Sequence, residues 1–242
     1  MVKIIVKSTF KWIPLPAVLL VMACPNTPAE DFQSRFNVFG VMRNDFYVQD
    51  FSIDRTYAMD DTTGYDLQDA FAVIFDDSLC DTLYQYDPST VLWHSDLSAQ
   101  PGHTYRIMVC AEGLDTLWGE TTVPGAYRVI FPQPGDTVYN DDTILIRKSD
   151  GAKVYEVQFL QNEHIYLAIN FPDFLPDSMF RFPVSELTLL TGDQRLAIGA
   201  YDSNYFNYQY QFSEDYPQCG VRGGLGAFCS AYVNSVNFYY QP

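Results

Sequence analysis

The residues best placed to do chemistry lie toward the carboxyl end. In Tyr201-Asp202-Ser203-Asn204-Tyr205-Phe206-Asn207-Tyr208-Gln209-Tyr210-Gln211-Phe212 the aromatics at 206, 208, 210 and 212 alternate strictly. On a β-strand that spacing puts every ring on one face. Rings flanked by Asn and Gln can stack on sugars or anchor a protein partner. The same alternation also suits the core stripe of a half-buried strand, and that reading is favoured for Tyr205 to Phe212. Next comes Gly220-Val221-Arg222-Gly223-Gly224-Leu225-Gly226, whose glycines could turn backbone N–H groups toward an anion. A phosphate loop needs Lys-Ser/Thr after its last glycine, and Ala227-Phe228-Cys229 follows instead. The segment therefore reads as a glycine-bent loop closed by Cys219 and Cys229. Beside the aromatic strand it forms the candidate recognition surface: Tyr205, Tyr208, Tyr210, Arg222, Leu225 and Phe228.

No catalytic constellation is legible. Gly-x-Ser-x-Gly, His-Glu-x-x-His and Cys-His arrangements are missing, and the three histidines, His94, His103 and His164, stand apart from nucleophile motifs. Asp pairs at 60/61, 76/77 and 141/142 offer oxygens to calcium, but no Asp-x-Asp-x-Asp-Gly loop surrounds them. A carboxylate pair for glycoside hydrolysis is a matter of tertiary geometry. The expectation is a non-enzymatic protein with no cofactor and no metal. With 14 Lys+Arg against 30 Asp+Glu, the formal charge of −16 repels phosphate backbones and excludes nucleic acid as a partner class.

Residues 1–23 carry Lys3, Lys7 and Lys11, then an apolar run from Ile13 to Met22, then Ala23 before Cys24, the order of a secretory signal. Val21-Met22-Ala23-Cys24 resembles the lipobox of bacterial lipoproteins. That resemblance implies acylation of Cys24 and cleavage before it, with residues 24–34 as a lipidated tether. Loss of residues 1–23 leaves 11 basic side chains against 30 acidic ones, or −19, so acyl chains rather than charge would hold the protein to a membrane. The remaining cysteines, Cys80, Cys110, Cys219 and Cys229, form an even set suited to an oxidising compartment. Four cysteines allow three pairings. The chain-local one, Cys80 with Cys110 and Cys219 with Cys229, is the expectation carried forward. Zinc is disfavoured because no Cys-x-x-Cys occurs.

Those residues must be positioned by strands. Short runs rich in Val, Ile, Tyr, Phe and Thr recur between Gly, Pro, Asn and Asp, without sustained helical periodicity. The fold class expected is all-β, with two tandem sandwiches: an N-terminal one over 35–124 and a C-terminal one over 125–242. Strands are expected at 36–42, 51–57, 70–75, 83–86, 91–94, 104–110 and 117–123, then at 143–147, 152–160, 164–169, 186–190, 195–201, 205–212 and 232–240. In the 104–110 strand, Tyr105, Ile107 and Val109 share the core face, which leaves Cys110 outside.

Leu97, then Pro101-Gly102, then Tyr105 resembles the lead into strand F of fibronectin type III and immunoglobulin-like sandwiches, which implies a tyrosine corner. Ile144-Leu145-Ile146 followed by Gly151-Ala152-x-x-Tyr155-x-Val157 looks like strands B and C of such a domain, with Arg147 near the place of its usual Trp. The lipobox, Leu67 to Ile74, Thr121-Thr122-Val123-Pro124 and Gly223 to Phe228 together resemble Bacteroidota-type envelope lipoproteins of unassigned function, often encoded near TonB-dependent receptors. The resemblance implies an outer-membrane, lipid-anchored binding or scaffolding module, periplasmic or surface-exposed, with an envelope protein as partner. A surface glycan-binding lipoprotein using the aromatic strand is the alternative.

Overall fold

The computed structural model describes residues 32–58, 67, 69–173, 177–210 and 219–242. The first seven strands are β1 (Phe36–Arg43), β2 (Gln49–Arg55), β3 (Phe71–Phe75), β4 (Cys80–Thr82), β5 (Leu92–Ser95), β6 (Thr104–Cys110) and β7 (Leu117–Thr122). Then come β8 (Val129–Phe131), β9 (Thr137–Tyr139), β10 (Thr143–Arg147), β11 (Val154–Gln161), β12 (His164–Pro172), β13 (Met179–Pro183) and β14 (Gly192–Tyr201). Helix α1 (Ser203–Tyr210) precedes β15 (Val221–Arg222) and the long β16 (Gly224–Gln241). The chain is all-β, built as sheets packed face to face.

Period-two alternation builds the first core. The face of β1 carrying Phe36, Val38 and Met42 joins Phe51 and Ile53 of β2 and Trp93 of β5, and all are buried. Against them lie Ala72 and Ile74 of β3, Tyr105, Ile107 and Val109 of β6, and Leu117 of β7. The β6 expectation holds at both ends of the strand, and Cys110 is half-buried on the other face. The tyrosine corner is present: the Tyr105 hydroxyl accepts from the Gln100 N–H at 2.9 Å and donates to the Ser98 carbonyl at 3.3 Å. It satisfies backbone groups that a buried turn would otherwise leave unpaired.

A second core repeats the arrangement. Tyr155, Val157 and Phe159 of β11, Leu196, Ile198 and Ala200 of β14, and Val236, Phe238 and Tyr240 of β16 face Val129 of β8, Ile144 and Ile146 of β10, and Phe180 of β13. The Tyr155 hydroxyl, 2.8 Å from the Ser149 N–H, pins the preceding turn, and burial pushes its pKa up to about 12. The strand expected over 186–190 is replaced by a 3-10 turn, Val184–Glu186, and β13 lies before it. Pro183 leads into that turn, while Phe180 enters the core and Phe182 packs against it.

The two cores are not separate in sequence. Strands run β12-β11-β14-β16-β1-β2-β5 in one eight-stranded sheet, with β9 also along β16. A five-stranded sheet, β15-β7-β6-β3-β4, covers the first core, and a three-stranded sheet, β13-β10-β8, covers the second. β16 makes this possible. Its residues Gly224 to Ala231 pair in parallel with Phe36 to Arg43 of β1, and Ala231 to Tyr240 pair antiparallel with Tyr201 to Gly192 of β14. Val221 and Phe228 therefore belong to the first core. This differs from a first sandwich confined to 35–124, because the last strand of the chain is long enough to supply both. Tyr232 packs against both cores. Beyond the end of β1, the Asn44 amide continues the ladder by donating to the Val233 carbonyl at 3.0 Å and accepting from the Val233 N–H at 2.5 Å.

Close approach of β16 to β1 requires glycine at 226. Its φ is +101°, and a Cβ there would collide with the Val38 carbonyl. Gly135, with φ +87°, has open space where its Cβ would be. G226A is therefore expected to lower unfolding free energy by about 3 kcal/mol or more, and G135A by about 1 kcal/mol. Because both cores share β16, Trp93 fluorescence and far-UV circular dichroism should report one coincident urea transition in the wild type and in G226A. Equal losses at the two glycines would show that backbone conformation, not the Val38 contact, sets the cost; separated transitions would show that the cores unfold independently.

Candidate recognition surfaces

The segment expected as an aromatic strand over 205–212 is helical through Tyr210, and residues 211 and 212 lie outside the described residues. Asp202 causes the difference. Its Oδ1 accepts the Tyr205 N–H at 3.0 Å, and the Phe206 N–H bonds its carbonyl at 3.3 Å, so it acts as the helix N-cap. Rings that alternate on a strand meet instead at helical spacing: Phe206 stacks on Tyr210 at 5.5 Å, and Gln209 Nε2 reaches the Tyr205 hydroxyl at 3.3 Å. The Asp-Ser-Asn run before the rings was the available signal.

Helix α1 lies on the outer face of the large sheet. Its floor on β16 is the small-residue run Ala227, Cys229 and Ala231, each fully buried, beside Val41 of β1. Tyr205 stacks on Tyr201 at 4.2 Å and 23°, and Phe206 packs against the same sheet. Tyr208 reaches Phe39 of β1 with ring centroids 5.2 Å apart. Tyr208 is 46% exposed and Tyr210 40% exposed, so two of the predicted recognition rings are open to solvent while Tyr205 is half-buried.

The glycine-rich loop divides differently. Arg222 is exposed and Leu225 half-buried. Phe228 is fully buried in the first core and leaves the recognition set, because it sits on the inner face of β16 opposite Gly40. A cavity of about 350 Å³ opens between β7, β15 and the start of α1, lined by Arg106, Trp118, Glu120, Asn204, Gly220 and Arg222. Trp118 was missed in sequence. Its outward parity was masked by the neighbouring Gly119, which faces the core without a side chain.

Beneath α1 the most buried carboxyl of the region holds three elements together. Thr121 of β7 donates from its hydroxyl to Asp202 Oδ2 at 2.6 Å and lies 2.8 Å from Ser230 Oγ of β16. The Asp202 N–H bonds the Ser230 carbonyl at 3.1 Å. Burial raises the Asp202 pKa, and the hydrogen bonds from Thr121 and the backbone oppose that shift. The arrangement is structural, because every polar neighbour is an internal partner.

Among the described residues no disulfide joins Cys80, Cys110, Cys219 or Cys229. Cys80 stands opposite Phe75 and Cys110 opposite Phe71, at the two ends of β3, which puts them at least about 13 Å apart. A bridge tolerates no more than about 7 Å between Cα atoms, so the Cys80–Cys110 pairing is corrected. Cys219 and Cys229 share one buried cluster with Ala227, and burial raises both thiol pKa values. Of the Asp pairs, Asp76 serves a turn, accepting from the Ser78 and Leu79 N–H groups, and Asp142 accepts from Tyr139; Asp60 and Asp61 lie outside the described residues, as do residues 1–23 and Cys24. His94 Nδ1 lies 2.8 Å from Asp50, its ring packed against those of Tyr84 and Tyr86, and His103 Nδ1 lies 3.3 Å from Asp76.

No protein-family model matches the chain, and no curated protein matches it. Among solved structures it is similar to fibronectin(III)-like modules of Clostridium thermocellum CbhA, at 11% identity and TM-score 0.24, covering 85% of this chain and 94% of that one. It is similar at 12% identity and TM-score 0.22 to the BSP domain of a biofilm-associated protein, covering 85% and 30%. A third, DIP-gamma IG1+IG2, aligns at 12% identity and TM-score 0.23, covering 88% and 100%. The β-sandwich character rests on the ladders and cores themselves.

Two outcomes follow from this geometry. Since the folded carboxyl of Asp202 titrates above its unfolded value, the stability it confers is present at acid pH and is lost as pH rises through the folded pKa. Asn at this position can keep the cap and the Thr121 contact without ionising. The stability of D202N relative to wild type should therefore increase between about pH 4 and pH 7, while D202A, which removes the cap, should lose about 1–2 kcal/mol. A D202N advantage that shrinks with pH would show the carboxylate is favoured as an ion. Non-reducing peptide mapping should find no Cys80–Cys110 linkage; recovery of that peptide would contradict the β3 register.

Proposed function

We propose that the mature chain is an exported, lipid-anchored cell-envelope module that binds a partner and does not transform a substrate. The carrying observation is the exposed ring group on the outer face of the large sheet: Phe39 on β1 with Tyr208 and Tyr210 on α1, held by a helix whose cap and floor are buried. Rigid rings already ordered lose little entropy on binding. The sequence before residue 24 supports the lipid anchor, and the likeness of its motifs to Bacteroidota-type envelope lipoproteins supports a protein of an outer-membrane receptor complex as the partner. A surface glycan is the second reading, supported by the same exposure of Tyr208 and Tyr210.

In cells, C24S should lose acyl labelling and move from the membrane fraction to the soluble one. Crosslinking followed by mild-detergent extraction of a tagged wild type should recover a stoichiometric membrane protein, and Y208A/Y210A should lose it while keeping the wild-type circular dichroism spectrum. Recovery of the lipoprotein alone would sink the receptor reading; retardation of wild type, but not Y208A/Y210A, in glycan-containing gels would favour the second.

A further inference from the structure

The cavity beside Trp118 has features that neither core nor the ring group on α1 requires. Trp118 alternates with Leu117, which is fully buried, yet its own side chain is 48% exposed on the outer face of the five-stranded sheet. Arg222 stands directly opposite it on β15 and Met108 opposite it on β6. Neither the Trp118 nor the Arg222 side chain has a hydrogen-bonding, ionic or ring partner among the described residues, whereas the neighbouring Arg106 is held by Glu120 at 2.8 Å and Asp77 at 3.3 Å. The cation available to a ligand in the cavity is therefore Arg222.

The opposite wall is pre-ordered. Asn204 Nδ2 donates to the Glu120 carbonyl at 2.8 Å and to the Phe228 carbonyl at 2.9 Å, which fixes the amide and leaves its oxygen as an acceptor. Gly220, with φ +79°, permits this approach, because a Cβ there would collide with the Asn204 amide. A volume of about 350 Å³ lies at the lower end for small-ligand sites.

A flat indole face receives the apolar face of a pyranose ring, and a free guanidinium takes a carboxylate through two parallel hydrogen bonds. Glu120 and the Asn204 oxygen accept from sugar hydroxyls. A phosphate-rich ligand would meet Glu120, Asp77 and a chain of charge −16, so one carboxylate among neutral hydroxyls is the better match. We propose that this cavity binds a uronic-acid-containing oligosaccharide, with a pyranose ring on Trp118 and its carboxylate on Arg222. The site is separate from the ring group proposed to meet a partner.

The test is calorimetric titration of the detergent-solubilised full chain with oligogalacturonate, with hyaluronan oligomers, and with the carboxyl-reduced form of each. Wild type should bind at least one acidic series saturably, R222Q should weaken that binding about tenfold, and W118A should abolish it. R222Q should leave any weak binding of the reduced form unchanged. Trp93 is 6% exposed and Trp12 precedes Cys24, so a saturable shift in emission on binding should be lost in W118F, with circular dichroism verifying the fold. No binding of either acidic series, equal affinity for the reduced forms, or an R222Q variant that binds as wild type would overturn the proposal. Partner capture by the Tyr208 and Tyr210 surface is read separately, so either proposal can fail alone.

Discussion

The backbone ladder of β16 is the constraint on which the rest depends. A strand offers two edges and two faces, and β16 uses them along eighteen residues. Its first half buries Phe228 in one core, and its second half buries Val236, Phe238 and Tyr240 in the other. A one-residue slip would turn every one of these side chains to the opposite face. Gly226 and the Asn44 amide fix the register against β1, the first beside Val38 and the second at Val233. Since β1 and β16 come from opposite ends of the described chain, their pairing closes a long loop at a correspondingly high entropic cost.

The outer face of that strand explains why a helix occurs in an otherwise β chain. Ala227, Cys229 and Ala231 leave a shallow floor, and Tyr205 and Phe206 cover it. Covering it desolvates Asp202, which stays tolerable because hydrogen bonds from Thr121 and from the backbone of Tyr205, Ser230 and Asn204 oppose the raised pKa. The carboxyl thus links β7, β16 and α1, and the position of the helix is tied to both sheets of the first core.

Legibility in sequence followed the range of the interaction. Thr104 to Cys110 and Thr143 to Arg147 were readable to the residue because alternation is local and one face of each is buried. The tyrosine corner was readable because Leu97, Pro101-Gly102 and Tyr105 are near neighbours. The Tyr205 segment was misread because its alternation fits a strand, while the deciding bond is a cap from Asp202 that only competes once the sheet floor exists. The shared strand was not legible, since parallel pairing of Phe36 with Gly224 has no local signature. The burial of Phe228 was not legible for the same reason: which parity of a glycine-flanked strand faces inward depends on the partner sheet.

Continuity of the sheet through β16 has a last consequence for recognition. Tandem sandwiches joined by a flexible linker present surfaces whose separation fluctuates, and a second contact then gains only what the linker's effective concentration allows. Here the two surfaces share one helix: Asn204 lines the Trp118 cavity, and Tyr208, one turn further on, reaches Phe39. Both ends of α1 are anchored to the same sheet, through the Asp202 cap and the Tyr208 contact. The Asn204 amide is already fixed by the Glu120 and Phe228 carbonyls, so the helix that carries the exposed rings also carries a wall of the cavity, and the two surfaces keep one separation with no linker between them.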